Sequence, residues 1–209
     1  MSEGDKYDES YFMRGKETGK SLYTSYRWMP DLTIPMCRAI ADHCGIVAGA
    51  SVLDFGCARG YTVKALRMLG YEAWGYDISR WALENCDHEV REYVSTNFNY
   101  DYDWIIAKDV LEHVNRPDEA VIDIMEAANK GVFAVVPLSA KNGAQYVVKE
   151  YELDVTHLHR LTLATWAGLF IRPGWRVECS YRVKGVKDNY YKPGWESGNG
   201  FLTIRRMED

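Results

Sequence analysis

The stretch Ser51–Ser79, reading SVLDFGCARG, YTVKALRMLG and YEAWGYDIS in turn, constrains the fold more than any other part of the chain. An apolar run carries Asp54 at its end, a glycine-bearing turn follows, then an amphipathic segment, then a second short run ending in Asp77. That is the pattern of one β-α-β unit, with an acidic residue at the tip of each strand. A crossover helix makes the two strands parallel, and parallel strands need both faces covered.

The turn is shaped by steric need. Gly56 lets the backbone reverse sharply and pass close to a ligand, and Gly60, four residues on, opens the helix without side-chain bulk. Cys57 and Ala58 lie between them, with Cys57 counting through its backbone rather than its sulfur. The amides of the turn and of the first helical turn are expected to be free to donate. Asp77 stands 17 positions after Gly60, where a carboxylate at a strand end accepts both hydroxyls of a ribose.

The spacing Asp54-x-Gly56-x-Ala58-x-Gly60 departs from the G-x-G-x-x-G of dinucleotide-binding turns. A carboxylate leading into the turn repels a pyrophosphate and attracts a cation in a partly desolvated cleft. The reading therefore moves from a nicotinamide dinucleotide to S-adenosylmethionine, which carries an ammonium and a sulfonium.

VLDFGCARG resembles motif I of the class I S-adenosylmethionine-dependent methyltransferases, and WGYDIS their following acidic strand. YDWIIAKDVLEHV at 102–114 resembles the fourth-strand motif and GVFAVVPL at 131–138 the fifth strand, so the likeness covers roughly 45–138. Ala58 departs from the glycine more usual there, and its small side chain leaves the turn intact. The resemblance implies a Rossmann-like three-layer α/β sandwich, with a mostly parallel seven-stranded sheet and the last strand inserted antiparallel between the fifth and sixth. It also implies that Ile78 packs on the adenine face and that Asn97 or Phe98 reaches the adenine edge.

A length of 209 residues suits one domain: an arm or lid at 1–30, a cofactor core at 45–138, and an acceptor-side region with a C-terminal hairpin at 139–209. A net charge of −5 argues against a nucleic-acid binder. There is no apolar run of the roughly 20 residues a bilayer demands, and MSEGDKYDES is unlike a secretory signal, so a cytoplasmic protein is expected. The five cysteines form no C-x-x-C pair and read as reduced thiols.

Helices are expected at about Thr33–Cys44, Tyr61–Leu69, Ser79–Cys86 and Asp118–Asn129, and from an N-cap at Thr162 through Phe170. Strands are expected at 51–55, 72–76, 103–107 and 131–137, with a hairpin at Trp175–Val183 and Gly200–Arg205.

Ligands of such sheets gather beyond the carboxyl ends of the strands. There the chain offers Asp54, the turn, Asp77, the Lys108-Asp109 tip and the loop after Pro137. Asp109 is either a cleft carboxylate or a helix-start residue, while Glu112 and His113 read as fixing the start of the next helix, with His113 alternatively orienting a cleft group. In ELDVTHLHRLT, His157 is the candidate general base, against a structural histidine bonded to Asp154. His157-x-His159 lacks an evident third ligand, so no metal is expected. The tyrosines and Trp28 of the arm suit a wall of the acceptor site, and Trp195 a rim.

Methyl transfer to a small-molecule acceptor, a sugar or other polar metabolite, is the expected activity, with S-adenosylhomocysteine as product. Lys108-Asp109-Val110 stands where methyltransferases of DNA bases carry Asn/Asp-Pro-Pro-aromatic. Two readings stay open beside it: a non-catalytic S-adenosylmethionine-binding partner, and transfer to a protein side chain. A nucleotide-dependent oxidoreductase is disfavoured by Asp54 and the missing third glycine.

Overall fold

Alternation along the central strands sends side chains to two separate cores. Val52, Ile106, Phe133 and Val135 pack on one face, while Leu53, Ile105, Val132, Ala134 and Val136 pack on the other. The computed structural model describes residues 2–99, 101–190 and 198–207. Its strands are β1 (Ser51–Phe55), β2 (Glu72–Tyr76), β3 (Val94–Ser95), β4 (Tyr102–Lys108), β5 (Ala128–Pro137), β6 (Trp175–Ser180) and β7 (Asn199–Arg206). They form one sheet in the order β3-β2-β1-β4-β5-β7-β6. The first five are parallel, and β7 lies antiparallel between β5 and β6.

The helices are α1 (Glu9–Thr18), α2 (Pro30–Cys44), α3 (Tyr61–Met68), α4 (Arg80–Glu84), α5 (Pro117–Ala127) and α6 (Leu163–Leu169). Cys37, Ile40 and Cys44 of α2 and Val63 and Leu66 of α3 cover the first face. Val121, Ile124 and Met125 of α5 and Trp166 and Phe170 cover the second. The result is the α/β sandwich with a mostly parallel seven-stranded sheet and an antiparallel C-terminal hairpin.

Several boundaries differ from expectation for local reasons. α2 begins at Pro30, whose fixed φ and missing amide suit the first helical position, so Pro35 lies inside the helix. Ser79 caps α4 by accepting from the Ala82 amide. α5 gives way directly to β5, and Asn129 therefore sits in a strand, donating to Asp101. α1 has no counterpart in the sequence reading. Asp8 caps its start through the Tyr11 amide and left-handed Gly19 closes it.

All five cysteines are free, four of them buried. Among the described residues no helix is long and apolar enough to cross a membrane. Trp195 falls outside the described residues.

Candidate active site

The turn after β1 folds back onto the end of β2. Gly56, at φ 83°, and Cys57 both donate their amides to the carbonyl of Tyr76, at 2.8 and 3.0 Å. The Ala58 amide donates to Asp77 at 2.7 Å, and that of Ser79 to the other Asp77 oxygen at 2.8 Å. The Gly60 amide goes to the Cys57 carbonyl. The expected free amides are thus committed at 56, 57, 58 and 60, because two adjacent strand ends satisfy each other. Of these amides only that of Ala58 holds the Asp77 carboxylate; the others tie the turn to the Tyr76 and Cys57 carbonyls.

A cavity of about 600 Å³ opens at these strand ends. Gly56, Ala58, Asp77, Ile78, Phe98 and Asp109 line one part of it. Asp54, Cys57, Gly60, Asn97, Lys108 and His157 are outside its lining. Cys57 sulfur packs on β2, where a Cβ on Gly75 would come within 2.6 Å of it. Burial pushes the Asp54 carboxyl up to about 7, with Lys108 opposing and Asp77 reinforcing the shift. Asp77 is also raised by burial, against the two amides that bond it.

Asp109 adopts φ 54°, a left-handed conformation that Asp tolerates better than most residues. Its carboxylate is gripped by Lys108 and Lys187, each at 2.6 Å. Burial alone would raise it, but the two ammonium groups outweigh that and hold it well below the usual carboxylate range.

The N-terminal arm roofs the cavity with Tyr7, Tyr11, Phe12 and Tyr23. It is tied at both ends of the site. Ser79 donates its hydroxyl to the Tyr7 carbonyl at 2.6 Å, and a Cβ on Gly4 would meet the Ile78 carbonyl at 2.1 Å. At the far end, the Tyr11 hydroxyl donates to Asp154 at 2.8 Å.

His113 lines that far end, edge-on to Tyr7 with ring centroids 6.0 Å apart. Its ring is 4.6 Å from that of His157, which is buried behind it. The Thr156 hydroxyl donates to Asp154, so the 2.8 Å bond between Thr156 and His113 has Nδ1 of His113 as donor. His157 Nδ1 donates to the Tyr151 carbonyl at 2.9 Å, so Asp154 is not its side-chain partner. His159 turns away and donates Nε2 to Val114. Burial lowers both cavity-end histidines, His113 to about 4, so both rings are neutral at pH 7. Glu112 is buried, its Oε2 has no hydrogen-bond partner, and burial with Asp109 nearby pushes it up to about 8.

A family model described as a methyltransferase domain matches residues 35–180. The chain belongs to the class I S-adenosylmethionine-dependent methyltransferases. Its methyl donor is S-adenosylmethionine. The fold of this methyltransferase is similar to that of a chain in the complex between the Haloferax volcanii Trm112 methyltransferase activator and a methyltransferase. That match has 16% identity and a TM-score of 0.65, and covers 100% of this chain and 98% of the other. A SAM-dependent methyltransferase from Archaeoglobus fulgidus matches at 15% identity and TM-score 0.63, over 86% of this chain and 95% of that one. The magnesium protoporphyrin IX methyltransferase of Synechocystis PCC 6803, solved with bound S-adenosylhomocysteine, matches at 17% and 0.60, over 84% and 82%. At these identities the likeness is one of fold. No curated protein matches the chain by sequence.

In this methyltransferase Glu112 and His113 do not start the next helix as expected, and His113 lines the cavity, in keeping with the alternative that it orients a cleft group. They form a separate single turn, Leu111–His113, and α5 begins only at Pro117. The unbroken Asp109–Val114 run followed by Pro117 was the available signal. Lys187 had none, since it reaches Asp109 from 78 residues away.

Proposed function

We propose that this methyltransferase delivers the methyl group to a small polar acceptor, held between the N-terminal arm and the Glu112–His113–His157 wall. The observation that supports this most is the continuous cavity, which runs from Asp77 to His113 beneath the arm tyrosines. Its volume of about 600 Å³ falls within the usual range for small-ligand sites.

The donor's fit is read from the residues themselves. Asp77 faces the cavity with one amide on each oxygen, which leaves lone pairs for a pair of ribose hydroxyls. Gly56 presents bare backbone beside it, and Ile78, Phe98 and Tyr76 supply apolar walls for a base. Asp54 is buried behind the cavity lining, so it favours the donor's ammonium through its charge and not by lining the cavity. Cys57, Ala58 and Gly60 act through the shape of the turn. Lys108 offsets the charge of Asp54 and Asp109.

When bound, the donor supplies a methyl group already activated by a sulfonium. The chain's own contribution is therefore alignment of the acceptor and exclusion of water. Asp109, pinned and charged, positions Lys108 and Lys187. We assign proton loss from the acceptor to the wall, with His113 touching the cavity and His157 acting through it. The arm, core and acceptor-side region serve as one domain in this reading.

A labelled-methyl screen over metabolite pools tests it. Label should appear in a small molecule, and His113→Ala should lower turnover by roughly a hundredfold while S-adenosylhomocysteine still binds. Label found only in protein would overturn the small-molecule acceptor. Full turnover in His113→Ala would overturn the role of the wall.

A further inference from the structure

We infer that Glu112, His113 and His157 form a binding site for a borderline divalent cation of the zinc type, placed at the acceptor end of the cavity. One donor atom from each residue lies within 4.8 Å of the other two. The set is two imidazole nitrogens and one carboxylate oxygen, a combination that suits zinc better than magnesium or calcium.

The surroundings prepare each ligand. His113 spends Nδ1 on Thr156, which is itself held by Asp154, and His157 spends Nδ1 on the Tyr151 carbonyl. Both rings therefore keep Nε2 as the unprotonated nitrogen, and hydrogen bonding of the other nitrogen is how ligating histidines are oriented. Nε2 of His157 lies 4.0 Å from Oε1 of Glu112. The remaining oxygen, Oε2, is buried with no hydrogen-bond partner, an arrangement that a cation resolves. Ligands of a tetrahedral zinc stand roughly 3.4 Å apart, so the cluster has to close by about an ångström. Of the two Glu112 oxygens, the unpartnered Oε2 is the one free to turn toward a cation without giving up a hydrogen bond. Asp109 is already paired with both Lys108 and Lys187, so the negative charge offered to a cation comes from Glu112 itself.

His113 is the member that lines the cavity, so the open coordination position falls on the acceptor side. A hydroxyl or carbonyl oxygen of the acceptor would fill it, and a coordinated hydroxyl is more acidic than a free one. With the cation bound, the wall would promote proton loss through the metal and not through the His113 nitrogen, which is then a ligand. This purpose rests on the acceptor placement proposed above, whereas binding of the cation does not.

The test uses the full chain, stripped with a chelator and titrated with Co²⁺ as a spectroscopic stand-in, then with Zn²⁺. One cobalt per chain should give the visible absorption of a nitrogen–oxygen site, without a near-ultraviolet thiolate band, and zinc should displace it. Glu112→Gln and His157→Gln should each weaken uptake by roughly tenfold or more. If either variant loses S-adenosylhomocysteine binding, Thr156→Val takes its place, since it frees Nδ1 of His113 without removing a ligand, and uptake should again fall roughly tenfold. No stoichiometric uptake, a thiolate band, or uptake unchanged in the variants would overturn the site. Uptake is read without donor or acceptor, so its failure leaves the methyl-transfer reading standing. Conversely, uptake with no transfer to any small molecule would sink that reading alone.

Discussion

The two ends of the cavity are built in opposite ways. At the proposed donor end, Gly56, Ala58, Asp77 and Ser79 come from one β-α-β unit, and two backbone amides hold the Asp77 carboxylate. At the proposed acceptor end, Tyr11, Lys187, Glu112, His113, Asp154 and His157 come from four distant stretches and are joined by side chains. A site made of backbone turns depends on glycine geometry and tolerates little variation in place. A site made of side chains over long loops can be retuned residue by residue, which fits a common donor and a variable acceptor.

The largest expected effect lies at the donor end. Asp77→Ala removes the group that ties the Ala58 and Ser79 amides together, and calorimetry should show S-adenosylhomocysteine binding weakened by roughly a hundredfold. Binding within about threefold of the native chain would mean that the two ends do not divide as described.

Next comes the pH response of the acceptor end. Glu112 keeps its proton in the folded state up to about 8, whereas the unfolded chain releases it near 4.5. Stability should therefore be fully present below the lower value and fall as pH rises through the window, by at most about 1.4 kcal/mol per pH unit from this group. Asp54, raised to about 7, acts in the same direction. His113, depressed to about 4, acts oppositely, since folding then resists protonation between that value and its ordinary 6.5. Above pH 7 Glu112 alone of these three still contributes. Denaturant titrations in chelator should show a flatter pH dependence there for Glu112→Gln, and identical slopes would remove the buried proton.

Tyr11→Phe cuts the buried link between arm and acceptor end. Asp154 then loses a donor, and chemical denaturation should report a loss of about 1–2 kcal/mol. Faster proteolysis should appear within residues 1–30, while donor binding stays close to native. Equal weakening of donor binding would show that the arm belongs to both ends.

The smallest effect is a gain. Ala58 holds φ 49°, where a Cβ is strained and glycine is not. Ala58→Gly should stabilise the chain by roughly 0.5–1 kcal/mol in thermal or denaturant unfolding. A loss instead would mean that the methyl's packing against the arm aromatics outweighs the strain.

Legibility followed the same division. β1 and β2 were readable to the residue, because a short apolar run, the alternation in β2 and a glycine turn are local properties. The Thr162 cap and the C-terminal hairpin were readable for the same reason. Helix α1 was missed because its apolar positions, Tyr11 and Phe12, are embedded in a polar and charged stretch that only tertiary contact with Trp81 and Tyr23 explains. His157 was the candidate general base by sequence, yet it is His113 that lines the cavity, a difference set by how the 151–159 loop crosses Glu112 through the Leu158 and His159 amides.

The sequence by itself determined the α/β sheet, the donor turn and the position of Asp77, since each follows from short-range sterics and hydrophobic period. Only the tertiary structure decided that the turn's amides are spent on the Tyr76 carbonyl and on Asp77, that Asp109 is locked between two lysines, and that Glu112, His113 and His157 converge. Those outcomes depend on contacts between residues far apart in the chain, and no local pattern encodes the distance between them.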